Sequence, residues 1–350
     1  AHRLERKATM SDVARIAGVS LMTVSRVLNG TAKVSPETEE QVRRAVAKLR
    51  YRPNELARAL RGMKSRTIGV IVPYLYDPFF ATCAHAAAVV ARQHGYSVIV
   101  STSGEDVNAE YTELQLMLQR HVEGLLVIPA NNGRSKLTLP EFARTPIVLL
   151  DRPIQDLHFN AVLVENESGA RRAIEHLIVQ HRHQRIVFVG MSKELYTTHT
   201  RFQGYRREIV EHGLMPNAIF NCTTQETVSA ELKRLLRSSK PPTAAFTMNT
   251  LTTRYLLRAC AEMEVRIPAD LALIGFDDFE LAESLEPALT VVRQPADQIG
   301  HVAANFLFRR LKSGDSYPEG TRELLPVELI VRRSCGCKYS PHAPKVPGLT

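Results

Sequence analysis

The sequence predicts a small all-α head joined to a much larger α/β domain built on parallel sheets. Three observations predict this. Helix signals crowd residues 9–49 in short units. From Thr67 onward, β-branched apolar runs alternate with helical stretches. The basic excess is confined to one end: residues 1–66 hold 15 Lys/Arg against 6 Asp/Glu, while residues 67–350 hold 30 of each. The net charge of +9 therefore belongs to the head. A polyanion is the natural partner for it, because each neutralised phosphate releases condensed counterions; a solubilising segment is the alternative.

Composition sets outer bounds. A chain of 350 residues is too long for one ordinary core and suits two or three domains. Its 44% apolar and 23% charged content is that of a globular protein. No apolar run approaches the roughly 20 residues needed to span a bilayer, and the first residues contain no apolar stretch of the secretory kind. Five scattered cysteines, Cys83, Cys222, Cys260, Cys335 and Cys337, form no disulfide framework and fit a reducing compartment. A cytoplasmic location is expected.

In the head, Thr9 followed by Asp12 has capping-box spacing. Val13, Ile16 and Ala17 form the expected apolar stripe of a first helix ending at Gly18. Ser20 can cap a second helix in which Val24, Val27 and Leu28 share one face. Leu21, Met22, Ser25, Arg26 and Asn29 are left on the other face, and Asn29-Gly30 stops the helix. Ser35-Pro36-Glu37 opens a third helix, with Pro at its first position; Val42, Ala45, Val46 and Leu49 supply its buried stripe. Two short helices about a Gly-containing turn, braced by a third, make a helix-turn-helix. An outward Arg26 suits guanine edges, and the flanking hydroxyls suit phosphate oxygens.

The run Ser11-Asp12-Val13-Ala14-Arg15-Ile16-Ala17-Gly18-Val19-Ser20, followed by Thr23-Val24-Ser25-Arg26-Val27-Leu28-Asn29-Gly30, closely resembles the signature of the lactose-repressor (LacI) family. The resemblance implies that Leu21, Met22 and Arg26 read bases, and that Thr9, Ser20, Thr23, Ser25, Asn29 and Lys33 position phosphates. It also implies a transcriptional regulator, expected to be a repressor, that binds a palindromic operator as a dimer under allosteric control by a small ligand, expected to be a sugar.

Residues 51–66 are expected to form a hinge-helix linker. Tyr51-Arg52-Pro53-Asn54 combines a restricted X-Pro step with an N-cap. One or two helical turns then end at Gly62, and a helix so short is marginal in water on its own. By the resemblance it folds on operator DNA, where Leu60 wedges open the central base step with help from Ala57, Arg58 and Arg61.

In residues 67–334, the expected effector-binding and dimerisation domain, strands are predicted at 67–72, 97–101, 124–128, 147–150, 161–164, 186–189, 244–247, 271–274 and 289–292. Such runs indicate sheets covered on both faces. The resemblance divides this domain into two lobes of the type I periplasmic-binding-protein kind, with three crossovers and a ligand cleft between them. Ligands of open α/β sheets lie beyond the carboxyl ends of strands. Asp77, Asp151-Arg152, Glu165-Asn166, Asn249 and Asp277-Asp278 stand there; Arg201 opens a helix, and Phe79 and Phe80 supply an aromatic wall. Carboxylates, an Arg fork and an aromatic face suit a polyhydroxylated ligand. By the resemblance, Asp151-Arg152, Arg201 and Asp277 match sugar-contacting positions. The chain departs from the family at Glu165-Asn166-Glu167-Ser168-Gly169, where Asp-Asn and two glycines are usual. It departs again at Asn249-Thr250 with Arg254 and Tyr255, where Asn-Asp and a later Gly are usual.

Residues 335–350 read as a flexible tail whose prolines forbid a tetramerising helix, so a homodimer is expected. Cys335-Gly336-Cys337 reads as an ordinary pair because no partnering ligands are evident, and His176, His181 and His183 read as solvated at a helix end. No metal, cofactor, catalytic nucleophile or phosphate-binding loop is expected, and the chain is not read as an enzyme. The alternatives are a stand-alone sugar-binding protein, a nucleotide-binding α/β enzyme, and the same regulator with a purine or nucleobase effector.

Overall fold

The computed structural model describes residues 8–29, 34–51, 65–130, 136–154, 157–314 and 319–338. The chain divides into two units, Ala1–Ser65 and Arg66–Thr350.

The first unit contains α1 (Met10–Ala17), α2 (Leu21–Asn29) and α3 (Pro36–Lys48). The capping box forms as its spacing predicts. The Thr9 hydroxyl accepts from the Asp12 N–H, and the Asp12 carboxylate accepts from the Thr9 N–H at 2.9 Å. Gly18 ends α1 with φ 65°, a conformation that favours glycine. Ser35 caps α3 through the Thr38 N–H. Val13, Ala14, Val24, Val42 and Ala45 form the core, with Met10, Ala17, Val27, Leu28, Val46 and Leu49 packed around it. One expectation fails: Ile16 is 41% exposed. The buried stripe of α1 runs through positions 10, 13, 14 and 17, which turns Ile16 away from it.

Among the described residues, the second unit holds two six-stranded sheets. The first lobe has β1 (Thr67–Val72), β2 (Ser97–Thr102), β3 (Gly124–Val127), β4 (Ile147–Leu150) and β5 (Asn160–Val164), with α4 (Pro78–Gln93) and α5 (Val107–Gln119). The chain then passes to the second lobe through α6 (Asn166–Glu175), which runs on as a π-helical turn at His176–Gln180. There it forms β6 (Ile186–Val189), α7 (Tyr196–Glu211), β7 (Asn217–Ile219), α8 (Gln225–Leu236), β8 (Ala244–Thr247), α9 (Thr250–Glu262), β9 (Ala272–Phe276) and β10 (Thr290–Arg293). It returns as α10 (Ala296–Ser313) and β11 (Arg322–Leu325) in the first lobe, and ends in the second as β12 (Glu328–Ile330).

Strand order is β11-β5-β4-β3-β1-β2 in one sheet and β12-β10-β9-β8-β6-β7 in the other. All pairings are parallel except β10 with β12. The chain therefore crosses between lobes near Glu165, Gln294-Pro295 and Pro326-Val327. Continuous burial of β1, β3, β4, β5, β6, β8 and β9 explains their unbroken apolar sequences. Each lobe also packs two helices at backbone contact. A Cβ on Gly300 of α10 would lie 2.3 Å from the Cys83 carbonyl of α4, and one on Gly204 of α7 would lie 2.3 Å from that of Glu167 in α6.

Candidate DNA interface and ligand cleft

Helix α2 is two-faced. Val24 is buried, with Val27 and Leu28 half-buried beside it, whereas Leu21 is 46% and Met22 64% exposed, and Arg26 is exposed too. The spacing that carries the core stripe leaves those three side chains on the open side. Ser20 caps the helix by accepting from the Thr23 N–H at 3.1 Å, and the Ser20 and Thr23 hydroxyls lie 2.9 Å apart. Thr9, at the start of α1, donates its hydroxyl to Asp12 at 2.6 Å. Ser25 is half-buried on α2, and Asn29 is the last residue of that helix. Lys33, Ala57, Arg58, Leu60 and Arg61 lie outside the described residues.

In the second unit, strand ends from both lobes converge on one narrow cavity of about 30 Å³. Asp77, Phe79, Phe80, Asp151, Arg152, Arg201, Asn249 and Asp277 all line it. Asp77 caps α4, accepting from the Phe79 N–H at 3.0 Å. Burial, and the nearby Asp277 carboxylate, push its carboxyl up to about 7. Phe79 and Phe80 stand edge to face, their centroids 5.3 Å apart. Asp151 and Asp277 directly follow β4 and β9 with φ of 63° and 77°, and both line the cavity.

Two buried arginines organise the charge. Arg152 holds Glu105 in a bidentate pair at 2.6 and 2.7 Å and donates to Asp151 at 3.1 Å. Burial acts to lower its basicity, but Glu105 and Asp151 overcome this and hold it above its ordinary value. Arg201 lies over the Phe276 ring at 3.6 Å. It donates to Asn166 Oδ1 at 2.7 Å and the Met248 carbonyl at 2.6 Å, and stands 4.0 Å from Asp277. Burial pulls Arg201 below its usual value, against the pull of Asp277. Burial raises Asp277, opposed by Arg201 and by the hydrogen bond from Gln294. Among the described residues, two buried acceptors in this lining, Asp151 Oδ1 and Gln294 Oε1, find no hydrogen-bond partner. Unmet acceptors in a closed polar site carry a desolvation penalty that a donor-rich ligand relieves.

Residues 9–54 match bacterial regulatory proteins of the lacI family, and residues 174–335 match a periplasmic binding protein-like domain. The ribose operon repressor of Halalkalibacterium halodurans is 33% identical over 331 residues, covering 93% of this chain and 96% of that protein. The chain belongs to the lacI family. The transcriptional repressor CytR of Escherichia coli K12 is 31% identical over 337 residues, covering 95% of this chain and 98% of that protein. The solved lac repressor dimer bound to operator and the anti-inducer ONPF superposes with a TM-score of 0.83 at 28% identity, covering 94% of this chain and 99% of that one. This lacI-family protein is thus a DNA-binding transcriptional regulator with a small-molecule-binding domain, not an enzyme. Among the described residues, no helix is long and apolar enough to cross a membrane.

Several expectations for this lacI-family protein shift once it is folded. Glu165 stands outside the cavity lining: its carboxylate accepts from Ser168 at 3.2 Å and lies 3.7 Å from Arg172. Its neighbour Asn166 acts indirectly instead, by holding Arg201. Asp278 turns onto Arg293 and Arg332, at 2.8 Å from each. Arg254 and Tyr255 are also outside the lining. Tyr74, Tyr76, Glu105, Met191, Leu195, Thr197, Met248, Leu251 and Gln294 line the cavity but were not singled out from sequence. Glu105, Met248 and Gln294 follow β2, β8 and β10 within three residues, so the strand-end rule applied to every strand would have found them. The histidines are not simply solvated. His176, His181 and His183 are half-buried, and His181 Nε2 is 3.2 Å from Cys337 Sγ.

Proposed function

We propose that this protein represses transcription from the cytoplasm as a homodimer on a palindromic operator. A sugar or similar polyhydroxylated ligand, bound between the lobes, sets its operator affinity. The observation that carries the proposal is the open face of α2, where Leu21, Met22 and Arg26 stand clear of the core. Arg26 is assigned to a guanine edge, and Leu21 and Met22 to apolar contact with bases. Thr9, Ser20, Thr23, Ser25, Asn29 and Lys33 are assigned to the phosphates that fix register. Residues 1–50 form the DNA-binding domain and residues 51–66 the hinge, with Ala57, Arg58, Leu60 and Arg61 in the minor groove and Leu60 as the wedge. Residues 67–334 bind ligand and dimerise; Cys335 and Cys337, expected at the start of a flexible tail, are instead packed into the second lobe, with Cys335 fully buried. Two-fold pairing follows from the need of a helix-turn-helix for two half-sites.

In the cleft, Asp151 and Gln294 supply acceptors for ligand hydroxyls, Arg152, Arg201, Asn249 and Asp277 supply directional contacts, and Phe79 and Phe80 a ring face. The naming of one relative as a ribose operon repressor supports a sugar. A nucleoside or nucleobase is the second reading. It is favoured by the Tyr74–Tyr76 stack, with centroids 5.0 Å apart at the cavity's edge. Selection of bound sequences from randomised duplexes tests the first half: an inverted repeat is expected, and unselected sequence contradicts it. Thermal-shift measurements across pentoses, hexoses, nucleosides and bases test the second, with stabilisation by a sugar alone as the expected result.

A further inference from the structure

We propose that His176, His181, Cys335 and Cys337 form a structural zinc site that fastens the end of the described chain to the second lobe. The four ligand atoms lie within 4.8 Å of one another. Cys337 Sγ is 3.2 Å from His181 Nε2 and 3.5 Å from His176 Nε2. Zinc bonds of about 2.3 Å to sulfur and 2.0–2.1 Å to nitrogen imply tetrahedral N···S edges of about 3.5 Å, the length the two Cys337–histidine edges already have, and side-chain movement of about 1 Å closes the rest.

The local backbone explains how these residues meet. His176 and His181 are five apart and joined by a π-helical turn, whose i to i+5 register stacks them where an α-helix would stack residues four apart. Their rings lie 5.1 Å apart. On the other side, the Cys-Gly-Cys turn comes close to His181: a Cβ on Gly336, at φ 105°, would stand 3.1 Å from His181 Nδ1. Cys335 is fully buried and accepts from the Thr290 hydroxyl at 3.2 Å, an outer contact that orients its sulfur. His183 is excluded from the set, since its Nδ1 is bonded to Thr243 at 3.0 Å.

The chemistry selects the ion. Two thiolates balance a divalent charge in a half-buried place, and an S2N2 tetrahedron suits zinc. Four protein ligands leave no open position, which marks a structural rather than a catalytic centre. Zinc binding expels the protons of both thiols, so affinity is coupled to folding of this segment.

The full chain, stripped with chelator and kept reduced, is titrated with Co2+ and then with Zn2+. The expected result is one metal per chain, a cobalt–thiolate charge-transfer band with the visible bands of a tetrahedral ion, and displacement of both by Zn2+. Cys337→Ser should weaken cobalt binding by more than the roughly 10–100-fold typical of a lost outer-shell partner, whereas His183→Ala should leave it unchanged. Zn2+ should raise the thermal midpoint of the parent chain but not of Cys337→Ser. Absence of the charge-transfer band in the parent chain overturns the proposal, as does equal cobalt affinity in the parent and a folded Cys337→Ser variant. Should Cys337→Ser not fold, His176→Ala is read in its place by the same criterion.

Discussion

Asp77 is asked to cap a helix while buried beside a second carboxylate, and the two demands conflict at neutral pH. Its carboxyl is pushed up to about 7 by burial and by Asp277, so the folded chain keeps a proton that the unfolded chain releases near pH 4. Stability is therefore highest below that range and falls as pH rises toward 7. Asp77→Asn still accepts from the Phe79 N–H but carries no charge. It should raise the thermal midpoint above the parent at pH 8, by roughly 2–4 °C for each kcal/mol relieved, and the gap should close toward pH 5. Arg201→Met works in the opposite direction. It removes the bonds to Asn166 and Met248 and takes the nearby cation from buried Asp277. A loss of about 3 kcal/mol or more in urea unfolding is expected, together with loss of ligand binding. These roles were partly legible: an Asp at a strand end is visible in sequence, whereas Arg201, expected to open a helix, stands in the second turn of α7. That Glu105 claims two nitrogens of Arg152 was not, because the pair is 47 residues apart. The same holds for Cys337 and His181, 156 residues apart, whose meeting depends on a π turn that no spacing rule announces.

At the scale of elements, strands buried on both faces were readable, as was the six-residue edge strand β2, but three short edge strands were not. β1, β4, β6 and β8 fall where their apolar runs place them, residue for residue. β7, β11 and β12 went unseen because each is three or four residues long and lies at the rim of its sheet; β11, Arg322-Glu323-Leu324-Leu325, is mostly exposed. A rim strand needs no continuous apolar run and keeps charges that blunt its open edge. In the head, the caps are separable from the reading face. Thr9→Ala should remove about 1 kcal/mol of stability by deleting the α1 cap, measured by thermal or urea unfolding of the head. Leu60→Ala should lower operator affinity while the α1–α3 unit stays folded, as judged by a binding titration alongside far-UV circular dichroism. Unchanged affinity would remove the wedge from the account.

For the whole molecule, a regulator must join a DNA-reading unit to a ligand-reading one, and only a ligand that prefers one arrangement of the lobes can do so. Coupling energies of this kind are typically about 1–3 kcal/mol. All of it depends on the outward side chains of α2 lying against base edges. The most direct test compares the full chain, with and without Arg26→Ala, on its selected inverted repeat and on random duplex at moderate salt. Preference for the repeat by a factor of about 10³ or more is expected, with Arg26→Ala removing roughly 1–3 kcal/mol of that preference and leaving binding to random duplex nearly unaltered. Equal affinity for the two duplexes, or a uniform loss on both from Arg26→Ala, would contradict it.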